Sequence, residues 1–185
     1  MNKKIIVLVG PPCSGKSTIG KEVIHMIPNT CYVSSGDIAR RMAKNNMMAQ
    51  SDLDNGKLAP ECLMRKSISS SLHHKFEKRN MDMVILDGFP RFGEQAEWLR
   101  KLVPSDIDIY YVLVYAKLST IIERSNARGR SDDKSLEQRF KYYYNTTLND
   151  LRPHIDCVID TEELTVGECI ESLIKYIKST EEVDK

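Results

Sequence analysis

Residues 10–17 read Gly-Pro-Pro-Cys-Ser-Gly-Lys-Ser, and this stretch, which fits the pattern G-x-x-x-x-G-K-[ST], decides the fold. An apolar run at residues 5–9 precedes it and is typical of a buried strand. After it, apolar residues recur every four positions, as on the inward face of a helix. Backbone amides and the positive end of a helix dipole converge on an anion in such an arrangement. The stretch therefore predicts a phosphate-binding loop, in which Lys16 adds a full charge and Ser17 places a hydroxyl on Mg²⁺.

Two prolines restrict which groups of the loop can hold the anion. Pro11 and Pro12 have no N–H, so the donors must come from Cys13 through Ser17. The alternative is an ordinary glycine turn before a helix. The lysine, the hydroxyl and both flanking segments argue against that alternative.

Size and composition indicate one soluble domain. A chain of 185 residues can bury a two-sided sheet core, and its net charge of +1 argues against a nucleic-acid-binding stripe or a membrane-attracted surface. Five scattered cysteines without a C-x-x-C pair indicate a reducing compartment, and neither a zinc site nor a disulfide framework. The first apolar run is too short for a signal peptide and no run approaches a membrane span, so we expect a cytoplasmic protein.

Strand and helix patterns alternate over most of the chain, which predicts a parallel sheet with helices on both faces. Apolar runs predict strands at residues 5–9, 31–34, 83–86, 107–115 and 156–160. Two successive helices, one reaching about residue 49 and one beginning at Pro60, break the alternation and indicate a helical insertion. A polar loop is expected at 52–59 between them, and residues 179–185 are expected to fray.

Four blocks of sequence resemble, in the same order, those of nucleoside monophosphate kinases of the adenylate kinase family. The blocks are the loop at 10–17, Ser35-Gly36-Asp37 with Arg40, Asp87-Gly88-Phe89-Pro90-Arg91 with Gln95, and Arg130-Ser131-Asp132-Asp133 with Arg139. The resemblance runs from about residue 5 to residue 151. It implies a three-layer α/β fold of the P-loop NTPase type, with a five-stranded parallel sheet in a single kinase domain over residues 1–185. A nucleoside-monophosphate-binding insertion at 35–80 and a minimal lid turn at 128–135 are also implied.

The reaction implied by this resemblance moves the terminal phosphoryl group of ATP to a nucleoside monophosphate. The acceptor is already anionic, so placement and charge neutralisation carry the catalysis and no general base is required. Arginine suits this task because its planar fork stays charged and binds phosphate oxygens in pairs. By the same resemblance Arg40 and Arg91 hold the acceptor phosphate. The arginines that close over ATP and the transferring group are Arg124, Arg128, Arg130 and Arg139.

The resemblance assigns three sets of site residues. The catalytic set is Lys16, Arg91, Arg124, Arg130 and Arg139. ATP binding falls to Cys13, Ser14, Gly15, Lys16, Ser17, Thr18 and Arg128, and acceptor binding to Ser35, Gly36, Arg40, Gly88, Arg91 and Gln95. Mg²⁺ is held by Ser17 and, through water, by Asp87, because a carboxylate at the end of a buried strand suits a hard cation.

The identity of the acceptor depends on two of these residues. A small hydroxylated residue at Ser35 and an amide at Gln95 go with adenine in the family, and an amide offers both a donor and an acceptor to an adenine edge. AMP is therefore the first choice, with UMP or CMP as the alternative. Two other classes stay open: a P-loop kinase of a small non-nucleotide metabolite, and a nucleotide-binding protein with weak catalysis. The donor base is not determined, and we expect a monomer whose partners are nucleotides, without nucleic acid or membrane.

Two departures from the family pattern bear on activity. Cys13 stands where the family usually has glycine, and a positive φ there would cost about 1 kcal/mol. Only Gly129 separates Arg128 from Arg130, which leaves no room for a zinc-bearing lid domain. A capping box at Ser135 and Gln138 predicts that the helix carrying the last arginine keeps its face toward the site. A smaller lid should exclude water less well, so ATP hydrolysis without an acceptor is expected.

Overall fold

A five-stranded parallel sheet is the middle layer of the computed structural model, which describes residues 3–55, 57–129 and 136–182. Its strands are β1 (Lys4–Val9), β2 (Thr30–Ser34), β3 (Met83–Asp87), β4 (Asp108–Tyr115) and β5 (Ile155–Asp160). They lie in the order β2-β3-β1-β4-β5, and each pairs in parallel with its neighbours. The predicted parallel sheet is confirmed, and its carboxyl ends form one edge.

Helices cover both faces of the sheet. They are α1 (Lys16–Met26), α2 (Ser35–Lys44), α3 (Gln50–Asp54), α4 (Glu61–His73), α5 (Gly93–Leu102), α6 (Leu118–Arg128), α7 (Leu136–Tyr142), α8 (Leu148–Leu151) and α9 (Val166–Glu182). A π-helical turn follows α4 at His74–Lys78, another follows α7 at Tyr143–Thr147, and a 3₁₀ turn at Arg152–His154 leads into β5. Across the described ranges, none of these helices is long and apolar enough to cross a membrane.

The central strand β1 is buried on both sides, which explains its unbroken apolar sequence. Ile5 and Val7 face one core cluster, which is completed by the apolar stripes of α4 and α5. Ile6 and Leu8 face a second cluster, where α1 and α9 pack. Because side chains alternate along a strand, one hydrophobic run serves both cores and fixes the three layers.

The helices between β2 and β3 differ in detail from the predicted ones. The first begins directly at Ser35, where the Ser34 hydroxyl accepts from the amide of Asp37 at 3.2 Å. It ends at Lys44, since Asn46 adopts a left-handed φ of 55° and a helix cannot continue through it. The short helix α3 begins at Gln50 and overlaps the start of the polar loop predicted at 52–59, so the described part of the insertion has three α-helices rather than two.

The end of the chain is more ordered than its polar sequence predicts. Helix α9 continues to residue 182, and the prediction that fraying starts at 179 is wrong for the described residues. Lys4 at the start of β1 donates to the hydroxyl of Thr180 at 3.1 Å and pairs with the carboxylate of Glu181 at 3.6 Å. Both partners lie about 176 residues away in sequence, so no local pattern could reveal the contact.

Candidate active site

The loop between β1 and α1 has the backbone geometry of an anion cradle. A Cβ atom on Gly10 would lie 2.4 Å from the carbonyl oxygen of Val114, so only glycine allows the loop to pass this close to β4. Gly15 precedes α1 with a φ of 103°, which only glycine adopts readily. Cys13 has a φ of 61°, and this positive φ is the condition under which backbone strain is expected at this cysteine.

Lys16 is folded back onto the loop that it follows. Its ammonium group donates to the carbonyl oxygens of Gly10 at 2.8 Å and Pro11 at 2.6 Å, and to the hydroxyl of Ser14 at 3.3 Å. The residue is only 9% exposed. The side chain is thus held at the place where loop amides and the start of α1 converge, as the loop pattern predicts.

The electrostatic environment of Lys16 disfavours its charged form. Burial, with a smaller contribution from the nearby cations Arg91 and Arg139, lowers its pKa to about 8, while Asp87 acts in the opposite direction. A bound anion would reverse the balance, because a negative charge close to the ammonium favours protonation. Among the described residues, burial and the neighbouring arginines thus outweigh the effect of Asp87 on Lys16.

Asp87, at the carboxyl end of β3, receives two hydroxyl groups on the same oxygen. Ser17 donates to Oδ2 at 2.6 Å, and the phenol of Tyr32 donates to it as well. Burial, and then the charge of Asp87, raise the pKa of Tyr32, so its phenol stays protonated. The pair of β2 and β3 places Ser34 opposite Asp87, and this register brings the ring of Tyr32 beneath the carboxylate.

These oxygens fit a magnesium ion held mainly by substrate. Across the described ranges, no group of three or more His, Cys, Asp or Glu side chains could hold a metal. Mg²⁺ is commonly bound by one or two carboxylates, water and phosphate oxygens rather than by a complete protein cage. The hydroxyl oxygen of Ser17 and Oδ2 of Asp87 lie 2.6 Å apart, close to Lys16, and both are oxygen ligands of the kind that such a site needs.

The acceptor-side residues line a cavity of about 160 Å³ between α2, α4 and the turn after β3. Ser35 is 4% exposed, and within the described ranges its hydroxyl has no hydrogen-bond partner. Gly88 has a φ of 76°, and a Cβ atom there would lie 2.7 Å from the hydroxyl oxygen of Ser35. Gln95 accepts from the amide of Arg91 at 2.8 Å, and Arg91 donates through Nε to the carbonyl of Gly88 at 3.1 Å. These bonds fix the turn in which Arg91 stands.

Positively charged side chains from several elements line one central cavity of about 460 Å³. They are Lys16 of α1, Arg40 of α2, Lys57 between α3 and α4, Arg91 after β3, Arg128 of α6 and Arg139 of α7. Burial lowers the pKa of Arg91 to about 10, with Arg139 as the next cause, so Arg91 remains charged at neutral pH. Arg40 pairs with Asp37 at 2.6 Å. The cavity thus gathers cations that the sequence spreads over 124 positions, between residues 16 and 139.

Arg124 is not among the residues that line this central cavity. Its guanidinium donates to the hydroxyl of Thr161 at 2.9 Å, to the Thr161 carbonyl at 3.1 Å and to the Ser14 carbonyl at 3.4 Å. It lines a third cavity of about 280 Å³, to which Gly15, Ser17 and Thr18 also contribute. This arginine is therefore held against the outer side of the phosphate loop, between the loop and the end of β5.

Some predicted site residues cannot be placed, and some placed residues were not predicted. Arg130, Asp132, Asp133 and Ser135 lie outside the described residues. The cavities are also lined by residues that the sequence argument missed, namely Asn55, Lys57, Leu58, Tyr142, Tyr143, Thr147 and Thr161. For Lys57 the sequence does contain a signal, because this cation lies in the insertion that the resemblance assigns to an anionic substrate. The prediction of a polar loop at 52–59 does not use that signal.

Comparison with known proteins agrees with this geometry. The family model for adenylate kinase matches residues 8–156. Adenylate kinase of Rickettsia bellii is 30% identical over 96% of this chain and 76% of its own length. Adenylate kinase of Corynebacterium aurimucosum is 30% identical over 91% of this chain and 96% of its own length. Adenylate kinase 1 of a Nostoc species is 32% identical over 86% of both chains. The chain belongs to the adenylate kinase family and is an ATP-dependent nucleoside monophosphate kinase.

Proposed function

We propose that this enzyme transfers the terminal phosphoryl group of ATP to AMP and forms two molecules of ADP. The observation that carries the proposal is the convergence of Lys16, Arg40, Arg91 and Arg139 on one cavity. A smaller cavity adjoins it on the side of Ser35 and Gln95, and another adjoins the phosphate loop. If one nucleotide occupied each of these two adjoining cavities, their phosphates would meet between the cations of the central cavity.

The chain's own residues supply placement and charge. The loop amides and Lys16 hold the donor phosphates, and Arg40 and Arg91 hold the acceptor phosphate. Arg128 and Arg139 stand where negative charge builds on the transferring group, and such groups stabilise the transition state most when fixed in advance. Arg91 meets this requirement, because hydrogen bonds on both sides of the turn restrain it.

The proposal includes Mg²⁺, which oxygen atoms of two residues would hold. Ser17 would bind it directly and Asp87 through water, and Tyr32 would restrain Asp87. When bound, Mg²⁺ neutralises charge on the donor's phosphate oxygens.

Ser35 supports AMP as the acceptor. Its buried hydroxyl has no partner in the described part of the chain, and such a group destabilises the protein unless a ligand provides a hydrogen bond. Gln95 lies in the same cavity, and its amide can pair with an adenine edge. UMP and CMP are the remaining alternatives for this cavity. Membership of the adenylate kinase family disfavours a metabolite kinase and a protein without catalysis.

The arrangement of the chain around this reaction is also part of the proposal. Residues 35–80 form the acceptor-binding insertion of the single domain 1–185, and residues 128–135 form a short lid turn. Arg124 serves the donor from the outer side of the loop, since it lines the third cavity with Thr18. We further propose that the enzyme acts as a cytoplasmic monomer.

A coupled assay with Mg²⁺ and ATP, and with AMP, UMP, CMP, GMP or dTMP as acceptor, tests the function. AMP should give the highest kcat/KM. A higher value with UMP or CMP would refute AMP as the substrate, and no turnover with any acceptor would refute the kinase assignment. Arg40→Ala should raise the KM for AMP. Arg41→Ala is the matched control, because Arg41 is exposed on the same helix and lies outside the wall of the central cavity.

A further inference from the structure

Tyr143 carries a buried hydroxyl that the reaction described above does not use. The residue is 6% exposed, and its hydroxyl oxygen has no hydrogen-bond partner among the residues that the structure describes. A buried polar group without a partner destabilises the folded protein, and such groups are rare in native structures. The hydroxyl therefore requires a hydrogen-bond partner that none of the described residues provides.

The position of Tyr143 connects it with the phosphate cations. The residue packs in the larger core cluster and also lines the central cavity, whose wall contains Lys16, Arg91 and Arg139. It lies one turn after Arg139, where α7 gives way to the π-helical turn Tyr143–Thr147. Single π-helical turns inside α-helices occur frequently at functional sites, because they re-aim the side chains that follow.

The chemistry of the group is that of a neutral hydrogen-bond donor. Burial, and then the neighbouring Tyr144, raise the pKa of Tyr143 far above its usual value, so the phenol keeps its proton at any working pH. A protonated phenol complements an anionic oxygen, and hydrogen bonds of this charge-assisted kind are the strong ones. The cavity is lined by cations for phosphates, so a phosphate oxygen is the acceptor that it would offer.

We propose that the Tyr143 hydroxyl donates a hydrogen bond to a phosphate oxygen in the central cavity, as a further substrate-binding residue. This inference rests on the proposed function, since it requires nucleotide phosphates in that cavity. The phosphate belongs either to the acceptor or to the terminal part of the donor, and both offer the same oxygen chemistry.

The test is Tyr143→Phe, with Tyr144→Phe as the matched control. Tyr144 is the next residue and its hydroxyl donates to the Ala116 carbonyl at 3.4 Å, so its removal takes away a hydroxyl that already has a protein partner. Calorimetry measures the affinity for ATP and for AMP separately, steady-state kinetics measure kcat, and thermal unfolding measures Tm. Tyr143→Phe should weaken binding of one nucleotide, or lower kcat, by about tenfold, which is the size expected for a hydrogen bond to a charged group.

Stability separates a ligand-binding hydroxyl from a structural one. Tyr143→Phe removes a polar atom that lacks a partner, so the unliganded variant should keep or raise Tm while it loses function. Loss of AMP affinity alone would show that the hydroxyl binds the acceptor phosphate, and loss of ATP affinity alone that it binds the donor phosphate. Loss of kcat alone would show that it binds the transferring group.

Affinities and kcat equal to those of the wild type would overturn the inference. A fall in Tm accompanied by equal losses for both nucleotides would also overturn it, because that result indicates a structural role. The proposed function is tested by the wild-type enzyme, so its failure is seen before either variant is made.

Discussion

The lowered pKa of Lys16 predicts that ATP binds more weakly in alkaline solution. In the unliganded protein this pKa is about 8, chiefly because of burial, whereas donor phosphates favour the charged lysine. From pH 7 to pH 9 the charged fraction in the free enzyme falls from roughly 0.9 to roughly 0.1. At pH 9 the binding of ATP must therefore also provide the free energy that protonates Lys16. The affinity for ATP should fall about tenfold, or about 1.4 kcal/mol over one effective pKa unit.

The sign of the effect follows from proton counting. A group whose pKa rises on binding takes up a proton above its free pKa, so binding is strongest at pH values below that pKa. Titration calorimetry at fixed Mg²⁺ concentration, in two buffers of different ionisation enthalpy, measures both affinity and proton uptake. Uptake should be near zero at pH 7 and about 0.9 protons per ATP at pH 9.

Two variants identify the titrating group. Lys16→Arg keeps its charge throughout this range, so whatever affinity it retains should not change tenfold. Cys13→Gly removes the neighbouring thiol and should leave the pH dependence intact. Constant ATP affinity from pH 7 to pH 9 in the wild type would refute the reasoning. Loss of the pH dependence in Cys13→Gly would assign the effect to the thiol instead.

Four further predictions concern individual residues and the lid. Cys13→Gly should raise the free energy of unfolding in urea by about 0.5–1 kcal/mol, because glycine adopts the positive φ without strain; lower stability would contradict this. Tyr32→Phe should raise the Mg²⁺ concentration for half-maximal activity about tenfold while metal-free ATP affinity stays constant, since Asp87 loses a restraint. An unchanged Mg²⁺ dependence would count against that role. Arg91→Ala should lower kcat about 10²- to 10³-fold with little change in ATP affinity by calorimetry, and a normal rate would remove it from the site. The short lid that the sequence predicts at 128–135 should permit ATP hydrolysis without AMP, and a rate equal to that in buffer would disprove this prediction.

The sheet and the loop were predictable because their signals are local. The run at 5–9 is apolar at every position since β1 is buried on both faces, and the loop pattern specifies its own backbone. Ile68 and Leu72 of α4 and Phe76 of the π-helical turn after it recur at a spacing of four, and all three are buried. Such features depend on residues close in sequence, so periodicity alone reveals them.

Contacts that join distant segments were not predictable in this way. Tyr32 reaches Asp87 across 55 residues because β2 lies beside β3, and the strand order is a property of the whole sheet. Arg124 is drawn to Thr161 rather than to the central cavity for a similar reason, since the end of β5 lies next to the phosphate loop. Resemblance identified the arginine, but only packing determines which of its neighbours it contacts.

The unliganded site is electrostatically unfavourable, and this property explains why it binds two nucleotides together. Lys16 is buried and Arg91 partly buried in the same cavity wall, both have lowered pKa values, and the charge of Arg139 acts on each. Asp87 acts against both shifts, but it is also the acceptor for the Ser17 hydroxyl. The phosphates of one nucleotide relieve part of this repulsion and those of a second relieve more, because each adds negative charge beside these cations. Because charge on the transferring group is shared between both nucleotides, the same cations stay engaged throughout the transfer and need not reorganise.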